Sequence, residues 1–161
     1  MSEFLRMDNI TKRFGDVFAN KNINLSVKKG EVHTLLGENG AGKSTLMNIL
    51  CGLYQPTSGE IYLEGKKVKI DSPRTAVKMG IGMVHQHFML VEAMTVFENI
   101  ILGTSKDKSI FIKKDVLKKE IQELADSYGM DVELDKEITE ISVGAQQRVE
   151  ILKALYRGAE L

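Results

Sequence analysis

Tryptophan is absent from this 161-residue chain, aromatic residues amount to 6%, and there are one cysteine, three histidines and two prolines. With Cys51 alone no internal disulfide framework can form, and a lone thiol suits a reducing cytoplasm. One cysteine and three histidines leave little for a zinc cage. Only Pro56 and Pro73 occur, so no proline-rich linker divides the chain. Net charge is lacking too: 22 Lys+Arg stand against 22 Asp+Glu, which argues against a strongly basic nucleic-acid binder. The longest apolar runs are short, as in residues 32–36 (VHTLL), so no segment reads as a bilayer-spanning helix. The opening MSEFLRMDN carries acids and no hydrophobic block, unlike a secretory signal. What is present is core material. Hydrophobic residues make up 43% of a chain of about one domain's length, which excludes disorder as the dominant state.

The first third reads as strands. Residues 4–7 and 23–27 roughly alternate, with a turn at Lys28-Lys29-Gly30. Residues 32–36 form a short apolar run that stops at Gly37, as a buried strand does. From Lys43 the period changes: Leu46, Ile49, Leu50 and Leu53 recur at helical spacing, and Gly52 can end that helix. Residues 60–70 read as an edge hairpin, Pro73 opens a short helix through Met79, and residues 81–84 read as another buried strand. Residues 95–102 are expected to be helical. Asp115 to Tyr128 places Val116, Leu117, Ile121, Leu124, Ala125 and Tyr128 on one face. Residues 131–140 are acidic and read as a loop, and a last helix runs from Gly144 to Arg157. Strands alternating with helices predict a parallel α/β core, with a helical insertion over about 88–142. The lysine-rich stretch 103–119 reads as a solvated face.

Residues 37–45 (GENGAGKST) fit G-x-x-x-x-G-K-[ST] between a predicted strand and a predicted helix. Glycines let backbone N–H groups turn inward, and with the positive end of the following helix they suit phosphate. Gly37, Glu38, Asn39, Gly40, Ala41 and Gly42 form the cradle; Lys43 reaches the β- and γ-phosphates; Ser44 ligates Mg²⁺; Thr45 adds a second hydroxyl. The expected ligands are therefore the phosphates of a nucleotide and Mg²⁺. His85 and His87 read as packing or loop residues, and Cys51 as a small core residue.

Around this motif the chain resembles the ATP-binding subunits of ABC transporters over nearly its whole length. Gln86, after IGMV, resembles the family's Q-loop glutamine; residues 141–155 (ISVGAQQRVEILKAL) resemble the signature segment LSGGQQQRVAIARAL; Phe14, in ITKRFGD, resembles the aromatic that stacks on adenine. The run GMVHQHFMLVEAMTVFENIILG is similar to importers of simple sugars and nucleosides. The resemblance implies a P-loop NTPase core of ABC type, a mixed sheet with an antiparallel edge region plus a helical subdomain. Residues 1–86 and 143–161 would be nucleotide-binding core and 87–142 the helical subdomain. It implies catalytic roles for Lys43 and Gln86, Mg²⁺ ligation by Ser44 and Gln86, and contact in trans to ATP on a partner domain by Ser142, Gly144 and Gln147. The implied partners are integral membrane permease subunits, a second ATP-binding domain and, indirectly, an extracytoplasmic solute-binding protein, with no nucleic acid. The implied place is the cytoplasmic face of the membrane.

Two departures stand out. Val143 and Ala145 replace a glycine and a glutamine of the signature, which puts the composite site in trans in question and leaves the P-loop untouched. The family's apolar strand ending in Asp-Glu and its later switch histidine do not occur, so the chain reads as a domain truncated before that strand, able to bind nucleotide and hardly to turn it over. A regulatory ATP-binding module and another P-loop NTPase stay open as alternatives. For a GTPase, the nearest guanine motif is Asn20-Lys21-Asn22-Ile23, which lacks the Asp and precedes the P-loop.

Overall fold

The computed structural model describes residues 3–85, 88–104 and 114–161. The chain divides into two compact units, Met1–Met79 and Gly80–Leu161. In the first, β1 (Glu3–Phe14) and β2 (Val17–Lys28) form a long antiparallel hairpin. β3 (Ser58–Leu63) pairs antiparallel with the other edge of β1, and β4 (Lys66–Val68) follows, giving the order β2-β1-β3-β4. Leu5, Met7 and Ile10 of β1 are buried, as are Ile61 and Leu63 of β3. β1 and β2 outrun the alternation expected over 4–7 and 23–27. The reason lies at Asn9 and Asn22, both in the left-handed region (φ 51° and 50°), where the β1–β2 register shifts. Asparagine tolerates that conformation, and a bulge breaks the period of two without ending the pairing.

The helix expected from Lys43 is α1 (Lys43–Leu50), with Leu46, Ile49 and Leu50 buried. Gly52 closes it at φ 74°, its N–H donating to the Ile49 carbonyl at 3.0 Å. A Cβ there would stand 2.5 Å from the Ser72 backbone, so the position needs glycine on two counts. α2 (Pro73–Lys78) starts as predicted, with Ser72 capping the Thr75 N–H.

The two runs expected as buried strands are not strands. Residues 32–36 have no regular structure, and Val32 and Leu36 are 95% and 90% exposed. A strand exists only through a neighbour that takes its hydrogen bonds, and no strand among the described residues lies beside this run. Residues 81–84 are likewise irregular; Gly82 N–H donates to the Leu161 carbonyl (2.8 Å), and Glu160 and Leu161 donate to the Gly80 carbonyl (2.7 and 3.1 Å). The predicted parallel core is thus replaced, among the described residues, by wholly antiparallel pairing.

The second unit is helical: α3 (Val96–Ile101), α4 (Lys114–Ser127) and α5 (Val143–Tyr156), with a 3₁₀ turn at Ile138–Glu140. A reciprocal capping box joins Thr95 and Glu98 at the start of α3. The core is built from Val96, Phe97 and Ile100, Leu117, Ile121 and Ala125, and Val149 and Leu152. The acidic segment 131–140 is a loop as expected, up to the 3₁₀ turn, but it is not given over to solvent. It buries Val132, Leu134 and Ile138 in this core, and its Leu134 and Lys136 carbonyls accept from Phe97 and Val96 N–H, both at 2.9 Å. The apolar face of α4 is narrower than expected, since Val116 and Tyr128 are exposed. Residues 105–113 of the lysine-rich stretch lie outside the described residues; beyond them Lys118 and Lys119 pair with Asp135 and Glu123.

The narrow face yields a contrast. Ile121→Ala should lower stability by about 2–5 kcal/mol, whereas Val116→Ala should change it by about 0.5 kcal/mol or less, both read by urea unfolding. Equal costs would restore the broad face.

Candidate nucleotide-binding site

The loop between residue 36 and α1 is built on its glycines. Gly40 (φ 88°) and Gly42 (φ 85°) hold left-handed conformations, and Gly42 starts α1 with no side-chain cap. The helix's first-turn N–H groups are therefore free of a competing side-chain acceptor. Ala41 N–H turns back to the Glu38 carbonyl at 3.2 Å. Lys43 folds across the loop, its Nζ donating to the carbonyls of Gly37 (2.6 Å) and Glu38 (2.8 Å). Gly37, Glu38, Asn39, Gly40, Ala41 and Ser44 are exposed, and Thr45 is half-buried.

Behind the loop stands a residue that sequence reasoning missed. Asn20, on β2, is buried and donates from Nδ2 to the Gly42 carbonyl at 3.2 Å, while its buried Oδ1 has no partner among the described residues. The Gly42 carbonyl also receives Leu46 N–H at 3.0 Å. In a trans peptide N–H and C=O oppose each other, so both bonds turn the Lys43 N–H toward the loop. A Cβ on Gly42 would lie 2.3 Å from the Ala19 carbonyl oxygen and 2.7 Å from Asn20 Nδ2. Only a residue without a side chain fits that space at the start of α1. The loop thus suits a phosphate chain: glycine-lined backbone donors, an uncapped helix start and one ammonium.

Phe14 ends β1 and is 44% exposed. Its ring meets that of Tyr54 edge to face, with centroids 5.3 Å apart and an interplanar angle of 78°. Lys12 Nζ lies 4.9 Å from the Phe14 centroid and 5.7 Å from that of Tyr54. Tyr54 was invisible as a partner, because this pair is forty residues apart in sequence. Phe14 and residues 37–45 share the first unit.

Ser142, Gly144 and Gln147 belong to the second unit. Ser142 is the N-cap of α5, its Oγ accepting from Ala145 N–H at 3.3 Å. Gly144 has open space around it, with Arg148 Nη1 at 4.0 Å from a built Cβ, and Gln147 is exposed. Val143 is 70% exposed. Gln86 and His87 lie outside the described residues. Cys51 is partly buried, and burial pushes its thiol pKa up, as for a packing residue. Among the described residues no cluster of three or more His, Cys, Asp or Glu is placed to hold a metal, and no helix is long and apolar enough to cross a membrane.

A glycine-rich loop that runs into an uncapped helix, with a lysine laid across it, is the local geometry of a P-loop domain. The chain belongs to the ABC transporter family, whose domain matches residues 20–161. It is 60% identical over 157 residues to the nucleoside import ATP-binding protein NupA of Lactococcus lactis subsp. cremoris (strain MG1363), covering 98% of this chain and 31% of that protein. It is 56% identical over 161 residues to the guanosine import ATP-binding protein NupO of Bacillus subtilis (strain 168), covering 100% and 32%. The chain spans about a third of the length of these curated relatives. Among solved structures, an ATP-binding cassette of an ABC transporter superposes with TM-score 0.84 at 29% identity, over 99% of this chain and 67% of that one. A nucleotide-free ATP-binding cassette gives TM-score 0.80 at 30% identity, over 98% and 66%. The fold is therefore that of an ABC ATP-binding cassette, as the sequence motifs predict.

Gly42→Ala tests the loop. The added methyl should displace the turn from β2 and weaken Mg-ATP binding about tenfold or more, with strain of about 1–3 kcal/mol read in thermal unfolding. Unchanged binding would mean that the turn relaxes freely.

Proposed function

We propose that this chain is the nucleotide-binding part of the ATP-binding component of an importer for a nucleoside or sugar. The single observation that carries the reading is the geometry of Lys43, laid across the glycine loop by the Gly37 and Glu38 carbonyls at the uncapped start of α1. Two carbonyls hold an ammonium in place without neutralising it. A phosphate oxygen makes stronger, charge-assisted bonds and can take it over. Backbone N–H groups at the start of α1 meet the remaining oxygens. Ser44 holds Mg²⁺, and Gln86 is assigned as its second protein ligand and as the group that orients water. Phe14 carries the adenine, its face kept in place by Tyr54. Bound ATP with Mg²⁺ supplies the phosphoanhydride whose cleavage drives the cycle.

Hydrolysis and uptake are proposed for a protein of the relatives' length, working with membrane permease subunits, a second ATP-binding domain and, indirectly, a solute-binding protein. Nucleic acid is not among the proposed partners. The proposed place is peripheral, on the cytoplasmic face of the cell membrane. Residues 1–86 with 143–161 are assigned to the nucleotide-binding core and 87–142 to the helical insert. The bonds of Gly80 and Gly82 to Glu160 and Leu161 support joining residues 80–82 to the end of the chain. The named functions of the relatives, nucleoside and guanosine import, favour a nucleoside as the solute. A second reading, a nucleotide-sensing module without turnover, is favoured by exposed Val143 where the family's signature has glycine.

Calorimetric titration of Mg-ATP into the 161-residue chain tests the assignment. Lys43→Ala should weaken binding at least tenfold. Phe14→Ala should weaken it by about 5- to 150-fold, from the ~1–3 kcal/mol of a stacked base. Binding indifferent to Lys43 would sink the reading.

A further inference from the structure

Residues 88–91 run without regular structure across the helical unit, and side chains hold their backbone as a neighbouring strand would. The Met89 N–H donates to Glu150 Oε1 at 3.0 Å, and its carbonyl accepts from Lys153 Nζ at 2.8 Å. Two residues on, the Val91 N–H donates to Asn99 Oδ1 at 2.8 Å, and its carbonyl accepts from Asn99 Nδ2 at 3.0 Å. In an extended chain the N–H and C=O of one residue face the same edge, and residues i and i+2 share it. The N–H and C=O groups of Met89 and Val91 are thus all paired, without a strand.

The groups that do this are otherwise hard to account for. Asn99 is fully buried, Glu150 is buried, and Lys153 is half-buried, its side chain 12% exposed. The two charges stand 3.6 Å apart on one face of α5. Burial pulls the Lys153 pKa below the usual lysine value, while Glu150 opposes that pull. A buried ion pair is weak as a stabilising device, and hydrophobic residues of like volume would serve the core as well. Each charge instead makes a charge-assisted bond to a peptide group. Because the backbone is gripped, the Met89 side chain is not used, and the residue is 61% exposed, while Leu90 packs on the helical core.

We propose that Asn99, Glu150 and Lys153 are positioning residues that lock the segment following Gln86, by its backbone, onto α3 and α5. The segment then moves with the helix that begins at Ser142. This goes beyond the nucleotide-binding reading and stands on contacts within one unit.

Amide hydrogen exchange by NMR on the 161-residue chain tests it. Glu150→Ala should speed exchange at Met89 N–H by about tenfold or more and leave Val91 and Ile121 N–H as they were. Glu150→Gln, whose amide oxygen still accepts, should restore most of the protection. Asn99→Ala should reverse the pattern, releasing Val91 and sparing Met89. Mg-ATP affinity, measured alongside, should be unchanged in Glu150→Ala, which separates failure here from failure of the ATP reading. Unaltered Met89 exchange in Glu150→Ala would overturn the proposal, as would a uniform rise across α3–α5 or a lack of rescue by Glu150→Gln.

Discussion

A peptide group turned away from water must find a partner, and at several places among the described residues side chains and tight turns supply it where no strand runs alongside. At the glycine loop, Lys43 serves two carbonyls at once, and Asn20 with Leu46 serves a third. At the start of α5, Ser142 caps Ala145, and Gln146 Nε2 donates to the Ile138 carbonyl at 3.1 Å. At 88–91 a buried amide and an ion pair stand in for a strand. These substitutes differ from a ladder in one respect. A strand partner comes with its whole sheet, whereas an ammonium on a flexible stem can change acceptors singly. The Lys43 contacts are of that exchangeable kind. The Asn99 contacts, fully buried, are not.

The parts legible in the sequence were those whose hydrogen bonds close locally. α1, α2, α3, α4 and α5 each form within a residue or two of the expected span, because a helix satisfies its own backbone and its caps sit beside it. The glycine loop was legible for the same reason: its turn, its lysine and its helix are contiguous. Residues 32–36 were misread because apolarity says that a run avoids water, not that a partner stands next to it. Composition identifies 131–140 as a loop and hides its burial. Its acids drew attention, yet Val132 and Leu134 alternate with Asp131, Glu133 and Asp135 and carry the burial. Glu150 and Lys153 carry no motif of their own in the sequence, and only the chain crossing α5 gives them a task. Asn20 was passed over as a broken guanine motif, although its contact to Gly42 spans 22 residues.

The signature segment separates what a helix needs from what a ligand needs. Ser142 keeps the cap, so α5 starts where the sequence places it. Val143 occupies the first helical position, where no preceding turn crowds a β-branched side chain, and the helix loses little by it. Gly144 still leaves the backbone bare, with only the Arg148 guanidinium near a built Cβ. The exchange of glycine for valine therefore falls on the surface and not on the fold: an isopropyl group, 70% exposed, stands where bare backbone would otherwise face outward. Any anion that reaches the start of α5 does so past that group, and the Ser142 hydroxyl it meets is already an acceptor for Ala145 N–H. Its proton is still free to donate, since a hydroxyl does both. The same serine can thus cap the helix and bind an oxygen, so the departures at Val143 and Ala145 alter access and shape while leaving the donor in place.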